Sequence, residues 1–327
     1  MNVGTLVNTG WELSVMTMPY RSGDWQVNLN FNLSRTQNTV TKLSENVPLS
    51  TIPTAANNRY MARIQEGHPL GSFYGYRSQG VYLNKDETIA RDKNGNKIYT
   101  FDMQGNQIPV QMRFWYPTNS YEFQPGDAKY EDINNDGNID YMDIVYLGNA
   151  NPRLLGGFGP QVRYKRFRFD CSFFFRYGFH VINQTKIDME KMSNFDNQST
   201  ATLRRWRQPY ENPEDAPKDI LPRALGNNRG YNFLGSDRFV EDGSFLKFKS
   251  ATLRYNINRE LLRKVGLSDA SFTFTAYNMY TWTRYTGMDP EVSARPKADE
   301  SGIFSIGYDR SRAPRNIELS FGMNVTF

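Results

Sequence analysis

Apolar and polar residues alternate with a period of two over stretches long enough to cross a bilayer, which confines the chain to β-structure with two unlike faces. The clearest run is Trp25, Val27, Leu29, Phe31 and Leu33, interleaved with Gln26, Asn28, Asn30, Asn32 and Ser34. The end of the chain repeats it, with Ile317, Leu319, Phe321, Met323, Val325 and Phe327 set against Glu318, Ser320, Gly322, Asn324 and Thr326. Phe167, Phe169, Cys171, Phe173 and Phe175 form a third run, and Trp11, Leu13 and Val15 a fourth. A fifth, through Ala251, Leu253, Tyr255 and Ile257, is out of phase with Leu246 and Phe248, so a bulge is expected near Ser250. Phe272, Phe274 and Ala276 follow, and weaker strands are expected near 59–65, 72–83 and 156–164. That makes roughly ten strands, several near the 9–11 residues that span a bilayer when tilted.

The spacing between strands carries as much information as the strands. Short turns are expected near 18–24, 67–71, 165–166 and 259–270, and long loops near 37–58, 84–155, 178–243 and 281–315. This one-sided alternation predicts an antiparallel transmembrane β-barrel, with tight periplasmic turns and long extracellular loops. Composition agrees. The chain holds 20 Tyr and 22 Phe yet has a mean hydropathy of −0.66, as expected of a wall showing rings to lipid and polar groups to a wet lumen. No run of about 18 apolar residues exists, so a transmembrane helix is excluded. Residues 1–20 lack a basic start followed by an apolar core, so an export signal is expected upstream. Cys171, the single cysteine, reads as a small apolar side chain in its strand. The net charge of +5 is scattered among acids without a basic helix or zinc pattern, so a nucleic-acid partner is not expected.

One segment carries ligand chemistry. Residues Asp132 to Asp143 place oxygen donors Asp132, Asn134, Asp136, Asn138, Asp140 and Asp143 at positions 1, 3, 5, 7, 9 and 12, with Gly137 at the sharp turn. The pattern predicts a structural calcium loop inside the long 84–155 segment; the alternative is an Asx-rich turn held by its own side chains. Asp92–Asn96 and Asp102–Asn106 are paired turn signals that predict a small external hairpin. Enzyme signals are poor. His68 and His180 are isolated, Gly156–Gly159 lacks a following helix, and Glu241 with Asp242 are sequence neighbours rather than a spaced carboxyl pair. No catalytic residue is assigned. Trp115, Tyr116, Trp206, Trp282 and Tyr285 lie in or beside long loops and are candidate substrate contacts, with girdle or loop packing as their plainer role. Two other classes stay open on the residues alone, a surface-exposed calcium-binding adhesion or glycan-binding β domain and a secreted hydrolase.

A set of short stretches in a fixed order goes further. These are Asn2–Leu6 leading into Gly10-Trp11-Glu12, Gly71–Tyr76, Pro125-Gly126-Asp127 with Tyr130, and Asp132–Asp143 followed by Leu147-Gly148-Asn149. Later come Asp237–Ser244, Tyr277-Asn278 with Thr281–Tyr285, Asp289-Pro290-Glu291 and the terminal strand. In this order they resemble the C-terminal third of SusC/RagA-type TonB-dependent outer-membrane transporters, over nearly the whole chain. The resemblance implies a 22-stranded type of barrel, an N-terminal plug, a TonB-contacting segment, a SusD-like surface lipoprotein, and oligosaccharide or peptide cargo. Plug and early strands have no counterpart here, so the chain is expected to be a fragment that does not transport alone. Phe327, a terminal aromatic closing an alternating strand, resembles the barrel-insertion signal of such proteins.

Overall fold

A computed structural model describes residues 4–44, 59–61, 63–116, 119–226, 231–291, 307–310 and 313–327. Seven antiparallel strands form one sheet in sequence order: β1 (Gly4–Ser22), β2 (Trp25–Leu43), β3 (Leu154–Tyr164), β4 (Phe167–Tyr177), β5 (Phe245–Asn256), β6 (Asp269–Thr283) and β7 (Glu318–Thr326). Among the described residues the wall therefore has seven strands rather than the ten or so expected. The weak stretches at 59–65 and 72–83 leave it. Met61 only bridges Tyr74, and Ser72–Gly75 pairs with Val145–Asn149 in a separate two-stranded sheet. Within the second, Ser72–Gly75 is buried throughout, and a short buried run gives no period to read.

Register turns the alternation into two faces. On one face Trp25, Tyr164, Phe167, Tyr255 and Phe272 lie in a single cross-strand row, with Met323 at its end. Trp25 meets Tyr164 at 4.3 Å and Phe167 meets Tyr255 at 4.7 Å between ring centroids. The next row is Val27, Val162, Phe169, Leu253, Phe274 and Phe321. Further up, Phe158, Phe173 and Phe248 stack at 4.7 and 4.6 Å. The topmost row is Leu33, Gly156, Phe175, Leu246 and Trp282. From Trp25 to Leu33 is about 27 Å of strand, which at a tilt of about 35–45° spans roughly 19–22 Å, most of an outer-membrane apolar band about 25 Å tall. This face stays open: Trp11 and Leu13 are each 47% exposed and Phe321 81%. A continuous apolar surface of this size has no stable place in water.

The opposite face is polar and bonded to itself. Asn28, Gln161, Asp170, Thr252, Thr275 and Ser320 share a row. Asn28 donates to Gln161 at 2.9 Å, Gln161 donates to Asp170, and Thr252 bonds Thr275 at 3.1 Å. The expected bulge is present, with register shifting between Phe248 and Ser250 and between Ser172 and Phe173. Across from it Asn278 takes φ +53°, a region Asn tolerates better than most residues, and its amide donates to the Asn316 carbonyl at 3.2 Å.

The connections fall on two rims. At one rim the links are short: Gly23–Asp24, Lys165–Arg166 and 257–268, where Asn258 caps the small helix α2 (Arg259–Arg263). At the other rim the links span 44–153, 178–244 and 284–317. Of the two stretches expected as separate loops before β3, 37–58 and 84–155, residues 37–43 belong to β2, 45–58 lie outside the described residues, and 84–153 falls in the same connection as the expected turn at 67–71. The described parts of these links fold into a cap with a core of its own. Its largest cluster includes Tyr74, Tyr76, Tyr82, Phe114, Phe123, Tyr130, Ile139 and Leu234, and takes no residue from the wall. A second cluster joins Tyr60, Phe73, Ile182, Ile187, Phe233 and Phe239. The upper part of β2 supports the cap, with Val40 N–H donating to the His68 carbonyl at 3.1 Å and Leu70 N–H to Asn38 at 2.9 Å.

Candidate functional site

The aspartate-rich loop closes as its sequence pattern requires. Gly137 has φ +85°, the sharp turn that favours glycine at that position. Asp132 Oδ1 accepts from the N–H groups of Asn135 and Asp136 at 2.7 and 3.3 Å, and its Oδ2 accepts from Gly137 at 2.8 Å. Asp143 accepts from Ile133 at 2.8 Å and Asp140 at 2.9 Å. Asp140 caps the turn of 3-10 helix Tyr141–Asp143 through Met142 N–H at 2.7 Å, and Asp136 accepts from Asn138 N–H at 2.7 Å. Asn134 donates to Asp136 at 2.9 Å. The carboxylates hold the backbone, and among the described residues no group of three or more acidic, His or Cys side chains converges on one point.

Two features of the loop nonetheless suit a cation. A carboxylate oxygen has two acceptor positions, so Asp132 Oδ2 and both oxygens of Asp143 keep one each. Burial, together with the nearby charges of Asp132 and Asp140, pushes the Asp143 carboxyl up to about 6, and burial also raises Asp132. Because the folded value lies above the unfolded 3.8, stability from this group is full below about pH 4 and lost as pH rises through about 6. At neutral pH the bare loop carries a destabilising buried charge.

The candidate aromatic contacts do not form one surface. Trp206 packs over Gly126, whose φ of +89° leaves no room for a side chain: a Cβ there would sit 2.4 Å from the indole. Trp206 also donates to the Leu83 carbonyl at 3.3 Å. Tyr285 is buried and donates to Asp309 at 2.7 Å. Trp282 stands on the outer apolar face beside Tyr280, ring centroids 4.9 Å apart. Trp115 lies in the strand Arg113–Tyr116 and is 41% exposed, whereas its neighbour Phe114 is buried and stacks on Tyr231 at 3.9 Å. The side chain of Tyr116 lies outside the described residues.

The strongest polar sites were only half legible in the sequence. Asp127 of Pro125-Gly126-Asp127 is fully buried and meets Arg223 at 2.8 Å, with Tyr121 hydroxyl donating at 2.7 Å and Gln124 N–H at 2.8 Å. Glu241 is a junction of three segments. It accepts from Lys186 of helix α1 (Gln184–Glu190) at 3.1 Å and from Thr286 N–H and hydroxyl at 2.9 and 2.8 Å. Its neighbour Asp242 turns back onto Ser244 N–H at 2.9 Å. Both acids are bound in structural roles. His180 packs under Gly148, and burial lowers its pKa.

No protein-family model matches the chain. Two TonB-dependent receptors of Formosa agariphila, P3 and P39, are 26% and 28% identical to it over 328 and 339 residues; all of this chain aligns, with 29% and 31% of theirs. The TonB-dependent receptor SusC of Bacteroides thetaiotaomicron is 24% identical over 336 residues, covering all of this chain and 27% of SusC. A structure of the RagAB peptide transporter superposes over the whole chain and 30% of its own with a TM-score of 0.65 at 19% identity. The RagAB importer in its closed-closed state gives 0.64 at 20% identity. Over its whole length the chain resembles SusC/RagA-type TonB-dependent receptors. Its place is the bacterial outer membrane. This SusC/RagA-type segment spans about a third of the length of the relatives it matches. Its sheet corresponds to part of the RagA barrel wall.

Proposed function

We propose that the chain is part of the wall and external cap of an outer-membrane importer for bulky nutrients, oligosaccharides or peptides. The carrying observation is the sheet itself. One face is a continuous apolar and aromatic band, the other a bonded polar ladder, and the described parts of the long connections gather in a cap at one rim. Such a sheet needs lipid on one side and water on the other, and long links in outer-membrane barrels lie outside the cell. The seven strands are read as part of a 22-stranded wall, completed by strands and a plug from the remainder of a longer protein. Energy would come through TonB, and a SusD-like lipoprotein would cover the cap. On this reading the segment alone does not transport. Trp115, with its open ring, is the aromatic best placed to meet cargo, and Phe327, 92% exposed at the chain end, would serve as the insertion signal.

The test is uptake of a dye-labelled peptide digest and a dye-labelled oligosaccharide mixture by cells making the full-length protein. Uptake of one probe that vanishes on deleting TonB is the expected result. Surface binding of both without entry would instead favour an adhesion role.

For the 132–143 loop we propose a calcium ion held by Asp132, Asn134, Asp136, Asp140 and Asp143 with the Asn138 carbonyl. The ion would supply the positive charge that the ionised Asp132 and Asp143 lack. Calorimetry on the full-length protein should show binding at about 10⁻⁴–10⁻³ M, the range of extracellular modules. Affinity should weaken as pH falls below about 6, where a proton competes at Asp143. Asp132→Ala combined with Asp136→Ala should abolish the heat. No calcium-dependent heat or thermal shift at millimolar calcium would leave the loop as an Asx-rich turn.

A further inference from the structure

The start of the last long connection is folded against the polar face of the wall. Lys247 shares a row with Asn32, Gly157, Phe174 and Thr281, the row of the lumen-side amides. A lysine on a wet wall would be solvated, yet Lys247 is only 4% exposed. What covers it includes Asp289-Pro290-Glu291. Its ammonium donates to Glu291 Oε2 at 2.6 Å and reaches Asp289 Oδ2 at 3.5 Å. Asp289 is itself 6% exposed and accepts from Glu291 N–H at 2.9 Å, which folds the turn around the lysine. Six residues earlier the same segment is pinned, through Tyr285 to Asp309 and Thr286 to Glu241. Between pin and lysine lie Gly287 and Met288, the latter 72% exposed.

We propose that residues 284–291 are a strap inside the barrel mouth, hinged at Tyr285–Thr286 and latched shut by the ion pairs of Asp289 and Glu291 with Lys247. The side chains that meet at the latch are charged. Apart from buried Pro290, no residue from 286 to 291 packs into a hydrophobic cluster, so little apolar contact replaces the ion pairs if they part. Burial alone would raise Glu291, but the Lys247 hydrogen bond and the charges of Lys247, Arg315 and Arg176 outweigh it and keep the carboxylate ionised. A buried pair of this kind is strong while both partners are present and costly when one is removed. On this proposal the strap has two states, closed with the pairs made and released with them parted, as a gate requires. The inference rests on the importer reading above, since only a lumen gives the strap something to close.

The experiment is a spin-label distance measurement on the full-length protein in native outer-membrane vesicles. One nitroxide replaces exposed Met288 and the other Tyr164 on the wall; a second pair on Tyr20 and Tyr164 reports the wall alone. Wild type should give one narrow distance for each pair. Lys247→Met should lose the single narrow Met288 distance and leave the wall pair unchanged. Exchanging the charges, Lys247→Glu with Glu291→Lys, should restore it. An unchanged Met288 distance in Lys247→Met, or a distance the charge exchange fails to restore, would overturn the latch. A wall pair with no fixed distance in wild type would overturn the barrel reading instead.

Discussion

Replacing Asp127 by alanine is expected to open the cap and leave the wall standing. Asp127 is fully buried and satisfies Arg223, the Tyr121 hydroxyl and the Gln124 N–H together. Its loss leaves a guanidinium without its counter-charge beneath Trp206 and Gly126. Removing one partner of a buried pair costs about 3–5 kcal/mol. Arg223 keeps 28% of its side chain exposed, so the lower end, about 3 kcal/mol, is expected here. That corresponds to roughly a 100-fold rise in the open fraction of the cap. Hydrogen exchange on the full-length protein in detergent should show faster exchange in peptides covering 121–127 and 221–226, with the β3–β4 hairpin unchanged. Asp127→Asn keeps the volume and part of the bonding, so its effect should be smaller. Equal exchange in Asp127→Ala and wild type would mean that the pair does not hold the cap.

The second large effect belongs to the outer face. Leu29 lies in the middle of the apolar band, between the Val27 and Phe31 rows. Leu29→Arg is expected to cost about 2–4 kcal/mol, the penalty for a cation at the mid-plane of an outer-membrane barrel. Asn28→Arg, one residue away on the polar face, should cost less than about 1 kcal/mol, because its side chain enters water. Outer-membrane abundance and the urea midpoint of the purified full-length protein read the difference. Two variants of equal stability would contradict the assignment of faces.

How much of this was legible follows from which interactions are local. The wall strands announce themselves because each alternates lipid-facing and water-facing residues, as in Trp25–Ser34 and Ile317–Phe327, and that contrast is written in neighbouring letters. Even the bulge at Ser250 shows as a change of phase. Most of the cap does not, because its strands are short: Ser72–Gly75 is four residues, buried throughout, and has no alternation to betray a pairing with Val145–Asn149. The Asp132–Asp143 turn was readable since its hydrogen bonds span at most ten residues. Pairs such as Asp127 with Arg223, 96 residues apart, or Lys247 with Glu291, 44 apart, leave no mark in one sequence. The loop aromatics show the same limit. Trp206, Trp282 and Tyr285 look alike as letters, and only the fold separates a ring packed on Gly126, a ring on the outer rim and a ring bonded to Asp309.

The central claim is that this sheet stands in a membrane with Val27, Leu29, Phe31 and Leu33 toward lipid. The most direct measurement places a nitroxide at each position from 26 to 33 of the full-length protein in liposomes. Accessibility to oxygen, which concentrates in lipid, is compared with accessibility to a water-soluble nickel chelate. The account predicts oxygen maxima at 27, 29, 31 and 33 and nickel maxima at 26, 28, 30 and 32. Accessibility without a period of two, or with the phases reversed, would contradict it.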